Sequence, residues 1–130
     1  MTIAPLVRDA ETAEFLDGTA RGEFLLRRCP EGHWSEPSAY SCTTCLTPEL
    51  SWSAAAGEAT LVSWVVPHVA DGPGAPLVIG ALEEGPWWWS CLVGDVDPAT
   101  LAVGLPLVVA FERASEEHEM VPVFRLAAGQ

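Results

Sequence analysis

Three of the four cysteines and one of the three histidines fall within residues 29 to 45, as Cys29-Pro-Glu-Gly-His33 and Cys42-Thr-Thr-Cys45. Two thiolates spaced C-x2-C can hold one metal ion from a single tight turn, because the amides of that turn point at the sulfurs. A structural zinc site takes four ligands, and Cys29 with His33 completes a Cys3His set. Eight residues separate the two halves. Strand, knuckle, loop, knuckle, strand is the layout of a zinc ribbon. The first half is C-x3-H rather than a second C-x2-C, and Gly32 stands where the second cysteine of such a ribbon normally sits. Two other chemistries use the same residues. A thioredoxin-like redox pair would need a βαβ pattern, and none surrounds this stretch. A Cys42–Cys45 disulfide would need an oxidising compartment.

Outside this stretch the reactive side chains are scattered. Cys91 lies on a strand, on the same face as Trp87 and Trp89, where a buried inert thiol is the ordinary role. As a nucleophile it would need a base, for which His68 is the candidate. His118 sits among Glu116, Glu117 and Glu119 in a polar loop. No paired carboxylates, glycine-rich phosphate cradle or Ser/His/Asp set stands out. Trp87, Trp88 and Trp89 are consecutive, and strand alternation sends them to opposite faces. A small barrel cannot take all three inside. The outer ones either pack under neighbouring elements or anchor a partner protein.

The elements that must position these residues can be read along the chain. Residues 9–20 read as a helix capped by Asp9 and stopped by Gly18. Residues 23–28 read as a short strand leading into Cys29, and 49–52 as a short strand or linker. From residue 57 the texture turns β-branched and apolar. Strands are expected over 57–69 up to Pro67, 76–85, 87–94, 105–114 and 121–127, with a loop at 71–76 and a tight turn at 83–86. Asp97, Pro98 and Gly104 suit the cap, first residue and stop of one short helix between the third and fourth strands. Five short strands with one such helix match the order of an OB-fold barrel, closing around Leu61, Val65, Ile79, Leu92, Val108 and Phe124. The class is mainly β, divided as 1–52 (helix and ribbon) and 53–130 (OB-fold).

The chain has 130 residues, 49% of them hydrophobic, which suffices for a core. No apolar run approaches the roughly 20 residues that span a bilayer. The first fifteen residues lack a basic head followed by a long apolar segment, so a cytoplasmic chain with no membrane partner is expected. The net charge of −12 repels phosphate backbones and argues against a nucleic-acid partner. That charge is uneven. Arg8, Arg21, Arg27 and Arg28 precede Cys29 against five acids, giving −1; the remainder has two arginines against thirteen acids, giving −11. A small anionic ligand should therefore meet the first part.

Taken in order, the motifs resemble an acyl-CoA-associated family catalogued as domain of unknown function 35 (DUF35). Phe15 followed by Gly22-Glu-Phe-Leu-Leu-Arg-Arg-Cys29 matches its aromatic, spacer, G-x-L-x-L-x-x-C phrase. Pro37, Cys42-Thr-Thr-Cys45 and Glu49-Leu-Ser-Trp52 match the next. Gly57-Glu-Ala-Thr60-Leu-Val-Ser63, Glu84-Gly-Pro86 through Leu92-Val-Gly94, Gly104-Leu-Pro106 through Phe111, and Pro122-Val-Phe124-Arg125 match the barrel phrases. The departure is Gly32, where the family ribbon has its second cysteine.

The resemblance implies an N-terminal helix, a rubredoxin-like zinc ribbon with structural zinc on Cys29, His33, Cys42 and Cys45, and a C-terminal five-stranded OB-fold. It implies a non-catalytic accessory subunit of a thiolase-fold acyltransferase, aldolase or condensing enzyme, aiding assembly or the passage of a CoA thioester. Arg21, Arg27 and Arg28 are the basic side chains expected to meet that CoA, since arginine forks bind phosphate oxygens bidentately. Two alternatives stand beside this reading. One is a stand-alone acyl-CoA hydrolase or lyase using Cys91 or His68. The other is a nucleic-acid-binding OB module, which the fold alone would suggest and the charge opposes.

Overall fold

The computed structural model describes residues 8–70 and 72–127. Residues 1–7, on which part of the leader reading rests, lie outside them, as does Asp71 of the loop 71–76. Asp9 opens the first element: its Oδ1 accepts the amides of Glu11 and Thr12 at 3.0 and 2.9 Å. That cap organises one turn, and the helix α1 proper runs over Ala13–Ala20. Gly18 does not stop it. A Cβ there would stand 2.6 Å from Leu25 Cγ, so the glycine is a contact surface inside the helix. The stop comes at Gly22 (φ +79°), where the amides of Gly22 and Glu23 return to the carbonyls of Thr19 and Gly18. These are the two bonds of a Schellman motif.

Three strands follow: β1 Leu25–Arg28, β2 Trp34–Ser35 and β3 Ser51–Ala54. They form an antiparallel sheet in the order β2-β1-β3. Next come β4 Glu58–Val65, a small ribbon of β5 His68–Val69 and β6 Gly72–Pro73, β7 Leu77–Leu82, and β8 Trp87–Cys91. β9 Pro106–Glu112 and β10 Val121–Leu126 complete the chain. The short helix expected before β9 is a single 3-10 turn, Pro98–Thr100, capped as expected by Asp97 Oδ1 from the Ala99 amide. The five long strands form one curled antiparallel sheet, β10-β9-β4-β7-β8. Its two edges meet at a parallel bridge, Leu92 to Phe124, reinforced by the Val93 amide on Phe124 O at 2.8 Å. This is an OB-like half-barrel. Among the described residues no helix is long and apolar enough to cross a membrane.

Leu61, Leu92 and Phe124 are buried in the barrel as expected, but Val65, Ile79 and Val108 are not. The reason for Val65 is a bulge. Register shifts between Leu61 and Ser63, so the alternation reverses and Trp64 turns inward while Val65 turns out. On β7 and β9 the parity is the other one, and Val78 and Leu107 fill the core. Gly80 leaves room for Phe124, whose Cζ lies 2.7 Å from where a Cβ would stand.

One hydrophobic cluster runs from α1 and β1 into the barrel, through Phe15, Leu16, Phe24 and Leu26 to Leu61 and Phe124. Aromatic edges knit it. Trp88 sits 5.0 Å from Phe24 and 5.8 Å from Phe15, which in turn lies 6.4 Å from Trp52. Thr19, fully buried, donates its hydroxyl to Met120 O at 2.7 Å and ties the helix to the segment before β10.

Candidate functional site

Strand β1 delivers Cys29, and β2 returns antiparallel to it, so residues 29–33 are the tip of a hairpin. Gly32 (φ +91°) makes the tight reversal: its amide bonds Cys29 O at 2.9 Å, and the Cys29 amide bonds His33 O at 3.0 Å. That reversal swings His33 back beside Cys29. Gly32 thus serves the turn, and the candidate ligand, His33, stands one residue later. The second half is a knuckle on Cys42, whose sulfur accepts the amides of Thr44 and Cys45, both at 3.4 Å. Leu46 closes it with φ +61° and an amide bond to Cys42 O.

The two halves converge. The ligand atoms of Cys29, His33, Cys42 and Cys45 all lie within 4.8 Å of one another. Cys29 Sγ is 3.4 Å from His33 Nδ1, Cys42 Sγ 3.8 Å from the same nitrogen, and Cys45 Sγ 3.6 Å from Cys29 Sγ. A tetrahedral ion with Zn–S of about 2.3 Å and Zn–N of about 2.0 Å separates its sulfurs by about 3.8 Å and sulfur from nitrogen by about 3.5 Å. The donor set therefore fits a tetrahedral metal ion. All four cysteines are free thiols. The Cys45 amide, foremost, and that of Thr44 push the Cys42 thiol down to about 6. Cys45 is lowered by the Thr47 amide but raised on balance by the neighbouring sulfurs and burial. Sulfurs crowded together without a cation oppose each other's ionisation, and a bound cation relieves that.

The three arginines do not converge. Arg27 and Arg28 are successive on β1, and their guanidinium groups lie over different rings. Arg27 lies 4.5 Å from the centre of Trp52 and donates to Leu50 O at 3.2 Å. Arg28 lies 4.7 Å from the centre of Trp34 and donates to Gly32 O at 3.3 Å. Arg21 is exposed and paired with Glu23 at 2.7 Å.

Arg27 belongs to a groove the sequence did not reveal. It runs between α1, the loop 37–40 and the open seam of the barrel between β8 and β10, with a volume of about 780 Å³. Phe15, Tyr40, Trp52, Trp88 and Trp89 give it aromatic walls, with Glu11 and Glu14 at one side. Among the described residues, Arg27 Nε and Trp88 Nε1 are buried donors with no partner. The groove needs the seam of a half-closed barrel, which no local pattern encodes. Strand alternation at Arg27-Arg28 was the one signal that only one of them could face it.

No family model matches the chain. Among solved structures, a chain described as Ltp2-ChsH2(DUF35) aldolase superposes with a TM-score of 0.80 at 23% identity, covering 95% of this chain and 99% of that one. The two chains share one fold. The resemblance carried by its motifs is borne out at that level. A curated relative, the 3-oxo-4,17-pregnadiene-20-carboxyl-CoA hydratase alpha subunit of Mycobacterium tuberculosis (strain ATCC 25618 / H37Rv), is 32% identical over 101 residues, 75% of this chain and 32% of that protein. The chain thus spans about a third of the length of that relative.

Proposed function

We propose that this DUF35-type chain is a non-catalytic accessory subunit of an enzyme acting on acyl-CoA, with a thiolase-fold acyltransferase, aldolase or condensing enzyme as its partner. The observation that carries this reading is the fold match, which covers nearly the whole of both chains. The subunit name of the curated relative and its CoA-ester substrate support it. Residues 1–52 act as a helix-and-ribbon module on the OB-fold of 53–130, and structural zinc on Cys29, His33, Cys42 and Cys45 holds the ribbon. The zinc supplies folding energy and no chemistry. Arg27, at the groove, is the first contact assigned to a passing CoA phosphate. Arg21 and Arg28 would have to exchange Glu23 and the Trp34–Gly32 contacts to join it.

The stand-alone hydrolase or lyase reading, where it runs through Cys91 rather than His68, needs a thiolate there. Burial raises that thiol above its ordinary value, the wrong direction for a nucleophile. The deciding experiment assays the pure chain and the reconstituted complex on acyl-CoA esters. The chain alone should show no turnover, and Cys91→Ala should leave the complex active. Turnover by the chain alone, lost in that variant, would overturn the accessory reading. Arg27→Ala should raise the complex's KM for acyl-CoA with assembly intact.

A further inference from the structure

The outer face of β4, β7 and β8 is apolar and open. Cross-strand register sets Val65, Leu77 and Cys91 in one row, and Ser63, Ile79 and Trp89 in the next. Trp87 continues the face opposite Ala81. Of the large hydrophobic side chains left exposed, four are here: Val65 at 61%, Leu77 at 46%, Trp87 at 58% and Trp89 at 73%. Strands about 4.8 Å apart and same-face residues about 6.7 Å apart make this a continuous patch, roughly 10 by 13 Å before the side chains spread. No charged residue stands in these rows. Two exposed tryptophans side by side are what buried centres of protein interfaces are made of. An apolar sheet face of this kind marks an interaction site.

Charge selects what covers it. A second copy would bring another −12 against this one. Anionic lipid and nucleic acid are repelled for the same reason. Glu83 and Asp95, both exposed, stand just before and just after β8. A complementary surface is therefore apolar at its centre and basic at its rim, and belongs to a different protein.

We infer that the Trp87–Trp89 face of the barrel is the surface on which this chain docks a partner protein with an apolar patch rimmed by arginine or lysine. The inference rests on the accessory-subunit reading for there being a partner, and adds where and by what chemistry it is held. Trp89 also lines the groove, so the docked partner would cover one lip of it.

The test starts from tagged full-length chain recovered from its native host, with the bound protein identified, produced separately and titrated against pure chain. Trp87→Ala/Trp89→Ala should keep the barrel's circular dichroism and weaken the Kd by about 30-fold or more. Val65→Asp, on the same face and also exposed, should do the same and serves if the double variant misfolds. Glu83→Arg should slow association at low salt and lose its effect at high salt. A folded Trp87→Ala/Trp89→Ala or Val65→Asp chain that binds within threefold of wild type would overturn the inference. So would recovery of no partner, wild-type self-association abolished by the double variant, or wild-type binding to phosphatidylserine vesicles. A partner that depends on this face but handles no acyl-CoA would leave the docking surface standing and retire the proposed function instead.

Discussion

The ribbon tip and the barrel are held by different physics. Across residues 29–50 the buried side chains are Cys29, Ser35 and Cys42, with no buried apolar residue besides the two cysteines. The barrel buries Leu61, Val78, Leu82, Leu92, Leu107, Val123 and Phe124. A segment with no core cannot offset its own ordering entropy and needs a staple, and four converging donors would be one on holding a metal ion. Stability of the tip should therefore follow the metal, and stability of the barrel should follow packing.

The largest effect should come from breaking the staple. Cys42 is fully buried and its sulfur anchors the second knuckle. Structural zinc in isolated fingers is worth about 10–16 kcal/mol of apparent binding energy, all of it folding energy there. Elemental analysis of protein purified without chelator should find one zinc per chain. In Cys42→Ser, or after chelation, amide exchange over 29–47 should lose its protection while β7 keeps its own. Simultaneous loss in both regions would show that the two are one cooperative unit and break the comparison.

The converse belongs to the barrel. Phe124 is fully buried over Gly80 and bridges the closing seam. Phe124→Ala should cost about 3–5 kcal/mol of global stability, read from a denaturant midpoint. Zinc content should not change. A fall in zinc would mean that the seam positions the ribbon.

The same division explains what was legible in the sequence. The cluster was legible because four Cys and His side chains at short spacing leave few geometries, and Gly32 hid nothing once a turn, rather than a ligand, was required there. Strand order was legible from turn residues and β-branched runs. Core parity on β4 was not, because the bulge after Leu61 reverses the faces, and neither side of it looks unusual in one dimension. Gly18 misled for a related reason. Its role is to admit Leu25, a contact across the fold, and the true stop, Gly22, lies four residues on. The groove was invisible because β8, β10, α1 and the loop 37–40 meet only in the folded chain.

A smaller effect sharpens the ribbon side. Leu46 closes the second knuckle at φ +61° and is 76% exposed, so its side chain contributes little packing to offset the conformation. The left-handed region costs an L-residue about 1–2 kcal/mol, and glycine forgoes that at an entropic cost of about 0.5–1 kcal/mol. Leu46→Gly should therefore stabilise the ribbon by up to about 1 kcal/mol. The measurement is zinc retention against a graded chelator, which should improve while the barrel's denaturation midpoint stays put.

The smallest effect lies where the N-terminal segment meets the barrel. Arg8 bonds both oxygens of Glu119, at 2.7 and 2.9 Å, and Asp17 at 2.7 Å, fastening the approach to α1 onto the chain just before β10. The Arg8 hydrogen bond holds the Glu119 carboxyl below its ordinary value. A carboxyl lowered on folding adds stability that is present above its unfolded pKa, about 4.3, and is lost as pH falls through the folded one. Arg8 and Asp17 are exposed and Glu119 is partly so, which keeps the contribution small and screened by salt. Ribbon thiolates also take up protons in acid, so wild type alone cannot isolate it. The difference between wild type and Glu119→Gln can. In low salt the wild type should be the more stable at neutral pH, and the two melting curves should converge below about pH 4. A difference that persists in acid would assign Glu119's contribution to packing rather than to its charge.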